Sequence, residues 1–488
     1  MRVRALAAAA LAAVSLVSCL GPLRRGGPEA PRPDALRERL AALGEAPGPP
    51  AHLVFVSIAG LEPAHYGASA AVGAPPAPPV TPTVALLAEL GVAAELVEPI
   101  APPASYPAHA TLVTGRPPRE HGIVADQRLG ERGVRRERAS HASLLRAPAF
   151  WQVAAERRLP VAALDWPTTE GAGVEALLPD VVPTRRGEHW AALAAAAATP
   201  ALATRVREAS EDGAALARPG PARDALLVEL ACDLLRGPRP PALLLLRLRG
   251  AEAALRDAGP ASPAARAAFA GADAELGRLL ACLDDAGLLG ASAVAVAGDR
   301  ALHAVHTAIR PNALLAQARL VRLDALGGVA EWAAIARSNG GSAFVYARDE
   351  ARALEARGVL EDVARRSGAF RVVSADEMIR LGADPEAWFG LEALPGFTFS
   401  DAAAPPIQLP SPERSANGRL WEDRPATPGF VAFGRGVRRG VRIPRMSQLD
   451  VAPTLASLLG LPLERVEGRT LVGLLSAPAP AAPVAAPR

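Results

Sequence analysis

The chain has no lysine. Its 53 basic residues are all arginine and face 50 acidic ones, a formal net charge of only +3 over 488 residues. With no arginine cluster interleaved with aromatics, this balance argues against nucleic-acid binding. The missing lysine accompanies heavy use of Ala, Pro and Gly and reads as coding bias, so no function is drawn from it. Cysteine is scarce, with three in the chain. Cys232 and Cys282 sit in apolar helical stretches, LLVELACDLL and LGRLLACLDD, where they either pair or remain two buried thiols. Long apolar runs are missing beyond the N-terminus. The others, such as 242–246, have the length of buried strands, so no second membrane segment is expected.

The N-terminus carries Arg2 and Arg4, then an apolar run over 5–17 that is too short to span a bilayer and matches a secretory signal region. It ends in Leu16-Val17-Ser18-Cys19, which resembles a bacterial lipobox with Cys19 as the lipidated residue. Residues 1–19 are thus expected to be a lipoprotein signal peptide, and the mature chain to be exported and anchored by lipid in the cell envelope, at a periplasmic or outer-membrane face. Leu20 lacks the Asp that marks inner-membrane retention. Residues 20–50, rich in Pro, Gly, Arg and Ala, read as a flexible linker with a short helix around 34–43. Residues 477–488 form an Ala/Pro tail expected to be disordered.

Between these ends, HLVFVSI at 52–58 is a β-prone apolar run followed by Gly60, the pattern of a central parallel strand that delivers a loop at its C-terminal end. Similar runs recur at 161–164, 242–248, 293–297 and 430–433, with helical patterns at 84–90, 149–157, 264–286 and 451–459. This alternation predicts an α/β sandwich around a mostly parallel sheet, with its site beyond the strand C-termini. The rhythm breaks at 312–405, where GGSAFVYA, a helix over 348–367 and FRVVSADEM predict a small inserted α+β subdomain. The core then comprises 51–311 and a return over 406–476, with Asp450 as the N-cap of the last helix.

PPASYPAHATLVTGRPPREHGI around Ser105 resembles the nucleophile segment of the type I phosphodiesterases and nucleotide pyrophosphatases, a branch of the alkaline phosphatase superfamily. The resemblance extends over about residues 51–475. It implies an alkaline-phosphatase-like α/β/α core, Ser105 as nucleophile and two zinc-type ions held by six further side chains. The first of these would be an Asp after the first strand, where the chain has Ala59. The next pair precedes Gly259-Pro260 and reads Glu252 and Arg256. The following Asp-His pair reads Asp299-Arg300, and the last His is replaced by Asn417. Asp299 and Glu252 remain as possible metal ligands; a methyl, a carboxamide and two guanidiniums cannot replace the other four. His303 and His306 lie nearby and are disfavoured as substitutes.

Two readings follow from this pattern. In the first, the protein is a catalytically degenerate envelope lipoprotein with no cofactor, and Arg256, Arg300 and Asn417 hold an anionic phosphate or sulfate ester, or an envelope polymer. In the alternative it is an active hydrolase using Ser105 and an atypical pair of divalent ions. The arginines could equally pair with Glu252 and Asp299 and fill the cavity with salt bridges, and Ser105 could serve only as a helix N-cap. Trp166 reads as a core residue in preference to a stacking platform for a base or sugar.

Overall fold

Strands that are apolar on both faces need a layer of helices on each side. In chain order the strands that build the core and the insert begin with β1 (His52–Ile58), β2 (Val92–Ala94), β3 (Val161–Leu164), β4 (Ala176–Leu178), β5 (Leu243–Leu248) and β6 (Ser292–Ala297). There follow β7 (Leu302–Ile309), then β8 (Ala334–Ser338), β9 (Ser342–Ala347), β10 (Phe370–Val373) and β11 (Phe389–Ala393) inside the insert. The return supplies β12 (Ser415–Asn417), β13 (Phe430–Gly434) and β14 (Val441–Ile443). These belong to a computed structural model, which describes residues 33–68, 79–181, 183, 189–209, 219–417, 420 and 427–476. The signal region, Cys19 and the 477–488 tail lie outside the described residues.

The core is an eight-stranded sheet in the order β14-β2-β13-β6-β1-β5-β3-β4. Its neighbours are parallel except at β13, which runs antiparallel to β2 and β6, so the run at 430–433 departs from the parallel pattern. The two-residue period of a strand divides the core in two. Val54, Val56, Leu244 and Leu246 pack in one cluster, while Leu53, Phe55, Leu243 and Leu245 pack in the other. On the first face lie α1 (Pro33–Ala42) and α2 (Pro82–Leu90); on the second lies α3 (Ser105–Thr114). The first face is completed by α4 (Pro221–Arg236), α5 (Gly250–Ala258) and α6 (Pro263–Asp285).

Three features depart from or refine the sequence expectations. Within the span read as linker, α1 is docked: Leu36 and Leu40 are buried, Arg37 meets Glu89 at 2.6 Å and Arg39 meets Asp284 at 2.7 Å. The insert is a four-stranded antiparallel sheet, β8-β9-β11-β10, packed against α7 (Glu350–Ser367). Asp450 occupies the N-cap position of the final helix, α8 (Val451–Leu458), as expected, but its side chain makes no capping hydrogen bond to that helix. Its carboxylate instead accepts the Ser447 and Arg469 amides at 2.9 and 2.7 Å, which ties the segment before the helix to the one after it.

Cys232 on α4 and Cys282 on α6 form a disulfide with their Cα atoms 5.5 Å apart, so the two buried thiols pair. The bridge closes a loop of 50 residues. Cys232→Ser is therefore expected to lower stability by about 4 kcal/mol on chain-entropy grounds, measured as the urea midpoint. Thiol titration of the denatured, unreduced, lipid-free chain should find one reactive group, Cys19.

Candidate functional site

Parallel strands put their C-terminal ends on one edge of the sheet, and the residues just past β3, β5 and β6 carry Asp165, Arg249 and Asp299. On the second face the alternate row that begins with Leu243 and Leu245 continues to Arg247, so its side chain points toward α3. Ser57 of β1 is paired with Arg247 in register and faces the same helix. Ser105 is the first residue of α3. The N-cap is Ala104, so the Ser105 hydroxyl does not cap the helix and is free to point at the strand ends. The first free amide of the helix, from Tyr106, donates to the Asp126 carboxylate at 2.8 Å, and that carboxylate answers the positive end of the helix.

Around Ser105 the side chains form a closed circuit of alternating charge. Ser105 Oγ donates to Asp299 Oδ2 at 2.9 Å and accepts from Arg247 Nη2 at 2.8 Å. Arg247 Nη1 donates to Asp180 Oδ2 at 2.8 Å, and Arg249 Nη1 donates to Asp180 Oδ1 at 2.9 Å. Arg249 Nε then donates to Glu252 Oε2 at 2.8 Å, and Arg300 Nη2 to Glu252 Oε1 at 3.1 Å. Arg300 Nη1 closes the ring on Asp299. Ser105 is 1 % exposed and Asp299 0 %, so the hydroxyl end of the ring is buried, while Glu252 and Arg300 border an outer cavity.

The residues singled out in the sequence are found here as follows. Asp299, Arg300, Glu252 and Ser105 are ring members. Arg256 sits at the rim, with its side chain 41 % exposed, donating to Glu252 at 3.0 Å and lying 3.6 Å from Glu413. Asn417 is brought beside Arg300 because β12 pairs with the start of β7, and its Oδ1 accepts Arg300 Nε at 2.8 Å. Ala59 follows β1 as a buried methyl. His306 turns away to Thr307 and Phe397, and His303 lines a separate cavity with Glu62 and His65. Trp166 is fully buried against Phe55 and His109.

Sequence reasoning missed Arg247, Arg249 and Asp180. The available signal was LLLLRLRG: a permanent cation inside a strand buried on both faces needs a buried carboxylate opposite it. Tyr106, which donates to Asp180 Oδ2 at 2.7 Å, was likewise not assigned to the site.

The electrostatics follow from burial and pairing. Burial, the largest single influence, would raise the Asp299 carboxyl, but Arg300, His109, Arg247 and the Gly60 amide together hold the group below its usual range. Glu252 behaves alike: burial is overcome by Arg249 and Arg300, and the carboxyl is held well below normal. For Asp180, burial is overcome by Arg249 and Arg247. Such weak bases are poor acceptors for the Ser105 proton. His109 is no substitute, since burial and then Arg247 push it down to about 3. Its Nδ1 donates to the Ser105 carbonyl at 2.7 Å and its Nε2 lies 2.8 Å from Ser57 Oγ. Asp165 is different. Both its oxygens lack partners, Arg249 is 4.0 Å away, and burial followed by Asp180 raises it to about 6.

A cavity of about 410 Å³ lies outside the ring, lined by Arg138, Arg256, Arg300, Arg310 and Asn417 among others. Arg138 lies over the Tyr106 ring at 5.5 Å. Glu252, Asp126, Asp401 and Glu413 line the same cavity; of the two carboxylates read from the sequence as possible ligands, Asp299 is contacted by Arg300 and Glu252 by Arg249, Arg256 and Arg300.

A family model described as type I phosphodiesterase/nucleotide pyrophosphatase matches residues 77–388. Murine ectonucleotide pyrophosphatase/phosphodiesterase 5 resembles the structure with a TM-score of 0.61 and 18 % identity, covering 87 % of this chain and 100 % of that chain. The human protein of the same description has a TM-score of 0.60 and 17 % identity over the same shares. An inactive form of the murine protein in complex with AMP gives 0.61 and 18 %, again over 87 % and 100 %. No curated protein matches the chain by sequence. At these identities the likeness concerns the fold.

Two outcomes test the charge arrangement. Arg247→Leu removes one of the two cations that contact buried Asp180 and the donor to Ser105, and should cost about 3–5 kcal/mol in denaturant unfolding. Asp165 has a folded value near 6 against an ordinary 3.8, so the folded state binds its proton more tightly and wild-type stability falls as pH rises through that window. Asp165→Asn should therefore melt higher than wild type above pH 6, and the difference should vanish below about pH 4.

Proposed function

The chain belongs to the type I phosphodiesterase/nucleotide pyrophosphatase family, and from that premise we propose that it is a catalytically degenerate member, exported and lipid-anchored, that binds an anionic ester without metal. The observation that carries this reading is the closed ring. The two carboxylates at the family's ligand positions, Asp299 and Glu252, are committed to arginines, and the Ser105 hydroxyl accepts from a guanidinium.

The residues present do not fit two zinc-type ions. Ala59, Arg256, Arg300 and Asn417 stand at four of the six ligand positions and supply no suitable donor. At Asp299, Oδ1 accepts the Gly60 amide at 3.1 Å and Oδ2 accepts Ser105 and Arg300. Glu252 accepts Arg249, Arg256 and Arg300. A divalent ion about 4 Å from a guanidinium is repelled by about 8 kcal/mol at an effective dielectric of about 20. Fixed cations and mobile ones compete for the same oxygens, and the fixed ones are tethered in place.

The outer cavity supports the binding half of the reading. Its guanidiniums offer planar, bidentate donors suited to phosphate, sulfate or carboxylate oxygens. Arg300 is saturated by Asp299, Glu252 and Asn417, which makes half-exposed Arg256 and Arg138 the groups left for a ligand. Such a ligand would be a phosphate or sulfate ester, free or carried on an envelope polymer. The disulfide is consistent with an oxidising compartment.

Protein purified without chelators should contain no stoichiometric zinc and should not cleave a nitrophenyl phosphodiester in a Ser105-dependent way. Phosphate or sulfate should raise its melting temperature, and Arg256→Gln should abolish that rise. Near-stoichiometric zinc together with cleavage lost in Ser105→Ala would establish the active hydrolase instead. No shift with phosphate, sulfate or nucleotide would leave a purely structural domain.

A further inference from the structure

The ring occupies the end of the sheet where the parallel strands finish. At the other end, where they begin, both ends of the described chain come together. Ala46 accepts the Gly436 amide at 2.8 Å and Pro49 accepts Arg435 Nε at 3.2 Å as the chain enters β1. On the way out, Arg438 donates its amide to Leu474 at 2.8 Å and Ser476 donates to Gly436 at 2.9 Å. The segment 434–440 is thus wedged between the incoming and outgoing chain. Arg439 also reaches the carbonyls of Leu90 and Ala41, which joins α1 and the end of α2 to the same end.

This end carries positive charge that local pairing does not absorb. Arg39 and Arg236 meet Asp284 and Asp285 at the end of α6, an ordinary arrangement at a helix C-terminus. Arg438, on the loop after β13, and Arg442, on the edge strand β14, are exposed; Arg442 shares with Arg37 the single carboxylate of Glu89, whose pKa both help to lower. Arg157 and Arg158, which precede β3 at the same end, are exposed in the same way. Only 13 residues, 20–32, separate Cys19 from α1, and 13 residues reach at most about 45 Å when fully extended.

We infer that the end of the sheet bearing Arg438 and Arg442 is a docking surface for an anionic phospholipid membrane. This inference rests on the proposed lipid anchor at Cys19, which would hold that end within reach of the headgroups. Exposed arginines near such a surface are attracted by its negative potential, and the attraction weakens with salt. β1 has seven residues and spans about 23 Å, so the ring and its outer cavity lie at least that far from the headgroups and open away from them. The ligand of that cavity is then reached from the envelope space and is not a headgroup of the anchoring leaflet.

The test uses residues 20–488, which lack Cys19 and therefore the lipid, sedimented with phosphatidylcholine vesicles that contain or lack phosphatidylglycerol. Binding should require phosphatidylglycerol and weaken with salt. The double variant R438Q/R442Q should lower the partition coefficient about tenfold or more, while R348Q in the insert should leave it unchanged. Equal binding to both kinds of vesicle, or a double variant that binds like wild type, would overturn the docking surface. If native protein still fractionates with membranes through Cys19 in that case, the lipid anchor survives and only the docking surface falls.

Discussion

Charge alternation around a single hydroxyl is the constraint on which the rest of the site depends. Three guanidiniums, three carboxylates and Ser105 close on one another at the strand C-termini, each group contacting two neighbours. In a solvent-free region a charge is tolerated only when opposite charge and hydrogen bonds surround it. The circuit meets that condition for all of its members together and for none of them separately. It therefore acts as a unit, and substituting one residue exposes the charge of two others.

That unit is confined to one edge of the sheet. The α/β/α fold is set by strands buried on two faces and by helices that cover them, and none of those contacts involves the ring. What the ring supplies is local: fixed positive charge on guanidiniums, which stay protonated across the physiological pH range. At its rim Arg256 and Arg138 line an open cavity.

Much of the site was legible before the structure, for a specific reason. Ser105, Asp299 and Asn417 lie in turns whose flanking residues carry family patterning, so each could be placed by its neighbours even where its own identity had changed. Arg247, Arg249 and Asp180 have no such flanks. Their role arises because β5 is central, α3 lies over one of its faces, and Asp180 follows β4 two strands away. Asp450 fails in the opposite sense: its position before a helix matches a capping pattern, but its carboxylate is taken by amides at residues 447 and 469, contacts that pattern reading does not weigh. Helix α1 was visible as a short helix, while its docking through Arg37 and Arg39 depended on where α2 and α6 end.

The sequence by itself determined the alternation of strands and helices and the inserted subdomain, which hydrophobic periodicity records directly, and its motif around Ser105 carried the resemblance to the family. Only the tertiary structure decided which guanidinium meets which carboxylate, that Ser105 is buried between Asp299 and Arg247, that Cys232 and Cys282 pair, and that segments 46–49 and 474–476 meet at the end of the sheet opposite the site. Each of those outcomes depends on distances between segments remote in the chain, and electrostatic pairing falls off too steeply with distance for composition or motif to stand in for position.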